Sequence, residues 1–139
     1  MSPRSLPIKS SPATLRAEFE PVLISPYGLH RNAIECRQGW DREKGSDEKL
    51  AGMIYLADRW LRHCEPSRRI NYTIPKSFSL KRFAERWHAA RMGGNVYGHM
   101  LHGCLLMACH RRGILMERCK DDPRTAPDRA HLGICSWPS

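Results

Sequence analysis

The sequence predicts a mainly α-helical fold with one small β-hairpin, in the order α-β-α-α-β-β over residues 46–136, preceded by a partly ordered N-terminal extension over 1–45. Three observations lead there. Apolar residues recur at helical spacing in three separate stretches after residue 46. Two short strand-like runs after Gly113 flank a turn-rich segment. Charge is also concentrated: the 139 residues carry a net +9, and 79–112 hold 6 Lys/Arg against 1 Asp/Glu.

The extension begins with a Ser- and Pro-rich arm over 1–12. Pro12 suits the first turn of a short helix over ATLRAEF, ended by Pro21. VLIS reads as a short extended piece before a Pro26-Tyr27-Gly28 turn. Leu29, Ala33, Cys36 and Trp40 share one helical face, and DREKGSD is a charged break. The extension is expected to pack only partly on the domain over 46–136.

From Ser46 the signals are stronger. Ser46 suits an N-cap, and Asp47 and Glu48 place negative charge where the helix dipole favours it. Leu50, Met53, Ile54, Ala57, Leu61 and Cys64 form an apolar stripe, closed by basic residues and Pro66. Ile70-Asn71-Tyr72-Thr73-Ile74 alternates and is β-branched, so a short edge strand ending at Pro75 is expected.

A second helix starts from Ser79 as N-cap, with Phe78 and Phe83 spaced for a hydrophobic staple. Met92-Gly93-Gly94-Asn95 breaks it in a tight turn. A third helix over 96–112 comes next, with Tyr97, Met100, Leu101, Cys104 and Ala108 on one side. His99, His102, Gly103, Leu106 and His110 fall on the opposite side, and a glycine there lets that face approach another surface closely. After Gly113, ILMERC and AHLGIC are strands of a hairpin whose basic tip holds Lys120, Arg124 and Arg129.

A helix, a strand, two helices across a Gly-Gly-Asn turn and a basic hairpin together resemble the winged helix-turn-helix superfamily, over roughly residues 46–136. The resemblance implies a third helix that enters a DNA groove and a hairpin wing that touches the backbone. One departure is Gly103, where the common pattern has an aliphatic residue. On this reading the protein is a transcriptional regulator whose partner is double-stranded DNA. Lys81 and Arg82 contact phosphates, Asn95, His99 and His102 read base edges, and Lys120, Arg124 and Arg129 hold the backbone.

Winged helices also serve as protein-interaction modules, so a protein partner or homodimerisation through the first helix and the extension is the rival expectation. Trp40, Trp60 and Trp137 would then be candidate anchors.

Other chemistries find less support. No apolar run approaches membrane-spanning length, and the N-terminus lacks the apolar segment of a secretory signal, so a cytoplasmic protein without membrane contact is expected. Six cysteines with no CxxC fit reduced thiols. A zinc site among His99, His102, Cys104, Cys109, His110, Cys119, His131 and Cys135 is a third reading. It is weakened because His99 and His110 would lie about 16 Å apart along a helix. No metal, cofactor or catalytic residue is therefore assigned: there is no Gly-rich phosphate loop, no HExxH and no marked nucleophile.

Overall fold

A computed structural model describes residues 12–43, 47–91, 100–120 and 129–138. Among them the chain is mainly helical, with short antiparallel strand pairs. The N-terminal part forms α1 (Pro12–Phe19), a 3-10 turn (Glu20–Val22), β1 (Ile24–Ser25), β2 (Gly28–Leu29) and α2 (Ala33–Arg42). Then come α3 (Asp47–Leu61), β3 (Glu65–Pro66), α4 (Ser77–Arg91), α5 (His102–Arg111), β4 (Met116–Arg118), β5 (Ala130–Leu132) and β6 (Ile134–Ser136).

α3 obeys its apolar stripe: Leu50, Ile54, Ala57 and Leu61 are buried, joined by Leu56 and Trp60. α4 starts two residues before the expected cap. The Lys76 carbonyl, just after Pro75, accepts the amides of Ser79 and Leu80, each at 3.0 Å, so Lys76 rather than Ser79 precedes the helix. Phe78 thus lies inside the first turn and not before the cap, which removes the geometry of a staple with Phe83. Its ring meets His102 instead, while Phe83 meets Trp137.

The third helix is shorter than expected. Leu101 is extended (φ −68°, ψ 137°) and α5 begins only at His102. The Met100 amide just before it donates to the Glu85 carboxylate, which anchors the approach to α4. The Gly93-Gly94-Asn95 turn lies outside the described residues.

No strand forms over 70–74. The Asn71 side chain competes with the ladder: its Oδ1 accepts from the Thr73 amide at 3.0 Å and hydroxyl at 2.6 Å, closing a local turn. Asn71 still reaches the neighbouring chain segment, donating its amide to Leu132 O at 3.0 Å and its Nδ2 to Ile134 O at 2.9 Å. The paired strand lies earlier, where β3 runs antiparallel to β6. The expected hairpin is present as β4 paired with β5, in the register Met116↔Leu132 and Arg118↔Ala130. Gly133 divides the second arm, donating to Leu115 O and accepting from the Ser67 amide, both at 2.8 Å.

The N-terminal part is not loosely appended. Leu15, Phe19, Ile24, Cys36 and Trp40 are buried in the same apolar cluster as the residues of α3, α4 and α5. The Trp40 indole also donates to Ile24 O at 3.0 Å, fastening α2 to β1. α5 is the central element, with α3 and α4 packed along it and β1 and β2 on its remaining side.

Candidate nucleic-acid interface

The expected base-reading face of α5 is covered by the chain itself. The Gly103 amide donates to Pro26 O at 3.0 Å, and a Cβ on Gly103 would lie 1.7 Å from Ser25 O. Leu106 is fully buried, and the His110 ring stands edge-on to Phe19 at 6.1 Å. Arg111 donates to the Glu18 carboxylate across the same seam, at 2.8 and 2.6 Å. The close approach that glycine permits is therefore to the β1–β2 turn.

His102 is buried in the same way and is not placed to read a base edge. Its Nε2 lies 2.7 Å from Ser77 Oγ, and its ring is edge-on to Phe78 at 5.7 Å. Ser77 Oγ also accepts the Ala130 amide at 2.9 Å. Ser77 thereby joins the starts of α4, α5 and β5 in one buried knot.

The other predicted contacts divide. Lys81 is buried on α4, 3.4 Å from Glu85, with Nζ 4.8 Å from the centroid of the Phe78 ring. Arg82 and Lys120 are exposed. Arg129 is half-buried, with its guanidinium carbon 4.9 Å from the same Phe78 ring. Asn95, His99 and Arg124 lie outside the described residues.

The structure adds cations around these three. Lys76 precedes α4 near Cys119, whose thiol is pushed up by burial and by Glu117 against the opposing pull of Lys76, Arg129 and Arg118. Arg86 and Arg91 continue along α4, stacked over Phe83 at 5.6 Å and Trp87 at 4.1 Å. Among the described residues Lys76, Arg82, Arg86, Arg91, Lys120 and Arg129 form no ion pair. By contrast Arg16, Arg111 and Arg112 on the opposite part of the fold are matched by Glu20, Asp41, Glu18 and Asp58. One signal was legible in advance. Arg82 and Arg86 repeat like charge at i, i+4, a costly spacing unless an anion faces it.

Among the described residues no three His, Cys, Asp or Glu side chains converge on a cation position. Burial pushes the Cys64 and Cys104 thiols up to about 12 and Cys109 higher still, which disfavours the thiolate that zinc takes. No helix among the described residues is long and apolar enough to cross a membrane. Comparison with protein families, with curated proteins and with solved structures finds no match for the chain.

Proposed function

We propose that the chain is a small basic duplex-DNA-binding protein of the winged-helix type, acting in transcription regulation in the cytoplasm. The observation that carries this reading is the set of cations Lys76, Arg82, Arg86, Arg91, Lys120 and Arg129, which form no ion pair among the described residues. Supporting it, a helix, a short strand, two helices and three short strands follow one another as α3, β3, α4, α5, β4, β5 and β6, with β6 against β3 and β5 against β4.

The mode of contact differs from groove reading by the third helix. Arg82, Arg86, Lys76, Lys120 and Arg129 are suited to phosphate oxygens along one backbone, and α5 serves as the scaffold beneath. Such contacts release counterions, so affinity depends steeply on salt while sequence preference is shallow. The test is fluorescence anisotropy of a labelled mixed-sequence duplex titrated at several salt concentrations. We expect log Kobs to fall linearly with log salt. The slope should shrink by about 0.9 for each phosphate contact removed, as in Arg82→Gln or Arg86→Gln. Absence of binding at low salt defeats the reading.

The second reading, a protein-interaction module, is favoured by the β1–β2 cover on α5, which leaves that helix no face for a groove. It predicts a complex that persists at high salt and is indifferent to Arg82 and Arg86.

A further inference from the structure

We propose that Lys76, Arg129 and Phe78, with Lys81 buried behind them, form a discrete phosphate-binding site where α4 meets the base of the hairpin. The inference deepens the DNA-binding reading by naming one anchoring point for a backbone phosphate, and it can stand or fall separately.

Four observations converge on this place. Lys81 Nζ and the Arg129 guanidinium carbon lie 4.8 Å and 4.9 Å from the centroid of the Phe78 ring, so both positive groups gather on one aromatic side chain. Arg129 Nε is buried without a hydrogen-bond partner, so the guanidinium is drawn into the junction with its positive charge unanswered there. Lys76 and Arg118 act with Arg129 on the Cys119 thiol, which places two further cations beside the same junction. Glu85 lies 3.4 Å from Lys81 and Glu117 also acts on Cys119, yet among the described residues neither Lys76 nor Arg129 forms an ion pair.

The junction is also tied together by buried hydrogen bonds. Ser77, between Lys76 and Phe78, is fully buried and tied to both His102 and the Ala130 amide, next to Arg129 in sequence. The two chain segments that carry the cations are thereby held at a set spacing, and Phe78 supplies an apolar floor between the charges. A phosphate oxygen would meet the solvent-facing part of the half-buried Arg129 side chain together with Lys76, and its charge would offset the repulsion within the cluster. Chloride offers neither the geometry nor the second oxygen for Lys76.

The test is a two-dimensional amide NMR titration of the full chain with inorganic phosphate, against sodium chloride at matched ionic strength. We expect saturable shifts of the Ser77, Phe78 and Ala130 amides with phosphate and none with chloride. Arg129→Gln should weaken phosphate binding at least tenfold, and Lys76→Gln, on a part-exposed side chain, should weaken it severalfold in a chain with unchanged spectral dispersion. Arg82→Gln should leave phosphate binding intact while weakening duplex binding.

Equal shifts with chloride, or undiminished phosphate binding in Lys76→Gln with Arg129→Gln, would overturn the site. Duplex binding whose salt slope ignores both substitutions also overturns it, and leaves the DNA reading standing. Saturable phosphate binding in a chain that ignores duplex DNA keeps the site and removes the DNA reading.

Discussion

A methyl group on Gly103 would sit 1.7 Å from Ser25 O and 2.6 Å from the Pro26 carbonyl carbon, both backbone atoms that cannot rotate away. Gly39 of α2 meets Ser25 from the other side, where a Cβ would come within 2.4 Å of Ser25 Oγ. The β1–β2 turn is thus pinched between two glycines. Gly103→Ala is expected to cost about 3 kcal/mol or more, because α5 and the turn must separate. Urea unfolding of the variant measures it, and an unchanged midpoint would contradict the packing. His88 gives a pH prediction of defined sign. It is buried, and its Nε2 donates to Leu56 O at 2.7 Å. Burial first, then Arg59 and Arg91, lowers its pKa from the ordinary 6.5, against the raising effect of the Leu56 bond. On acidification the unfolded chain takes up this proton before the folded one. The stability from neutral His88 is therefore complete above 6.5 and lost as pH falls through the depressed folded value. His88→Gln should flatten the decline in denaturation midpoint between about pH 7 and pH 5 relative to the parent chain.

At the scale of elements, α5 is surrounded. Its residues from His102 to Cys109 are all buried, and α1, β1 and β2 supply the outer cover. Leu15, Phe19 and Ile24 come from that cover, and burying each such side chain contributes about 1.5–3 kcal/mol. Deleting residues 1–31 is expected to remove roughly 5 kcal/mol or more, comparable with the whole stability of a small domain. The truncated chain should lose amide dispersion and near-ultraviolet circular dichroism; a well-dispersed spectrum would show the cover to be dispensable. Local pattern reached some elements and missed others for identifiable reasons. α3 was legible because Leu50, Ile54, Ala57 and Leu61 carry an unmixed stripe. The hairpin arms were legible because strand-like runs flank a turn-rich stretch. The strand expected at 70–74 was not, because its alternation hides an Asn71 side chain that bonds the Thr73 amide and hydroxyl. α4 was placed late because Ser79 resembles a cap, whereas the Lys76 carbonyl already accepts the Ser79 and Leu80 amides and Ser77 spends its hydroxyl on His102 and Ala130.

Across the whole molecule the basic charge is partitioned by pairing. Arg111 and Arg112 join the N-terminal layer and α3 to α5 through Glu18 and Asp58, and Arg16 ties α1 to α2 through Asp41, while Lys76, Arg82, Arg86, Arg91, Lys120 and Arg129 form no ion pair among the described residues. One shared core also predicts one unfolding transition. Trp40 lies in the N-terminal layer and Trp60 and Trp87 in α3 and α4, all in the same cluster. Tryptophan fluorescence and far-ultraviolet circular dichroism should therefore trace coincident urea curves. Two separated transitions would show that the N-terminal layer is a unit of its own.

The amino-acid order by itself determined the helical stripe of α3, the existence of α4, the hairpin after Gly113 and the gathering of positive charge in 79–112. Each rests on neighbours a few residues apart, within reach of helix and strand periodicity. The tertiary structure alone decided that the exposed-looking face of α5, with His102, Gly103 and Leu106, is an interior seam. Periodicity says which side chains share a face, but whether that face meets DNA or Ser25 depends on contacts some 80 residues away in sequence, which only the closed chain brings together.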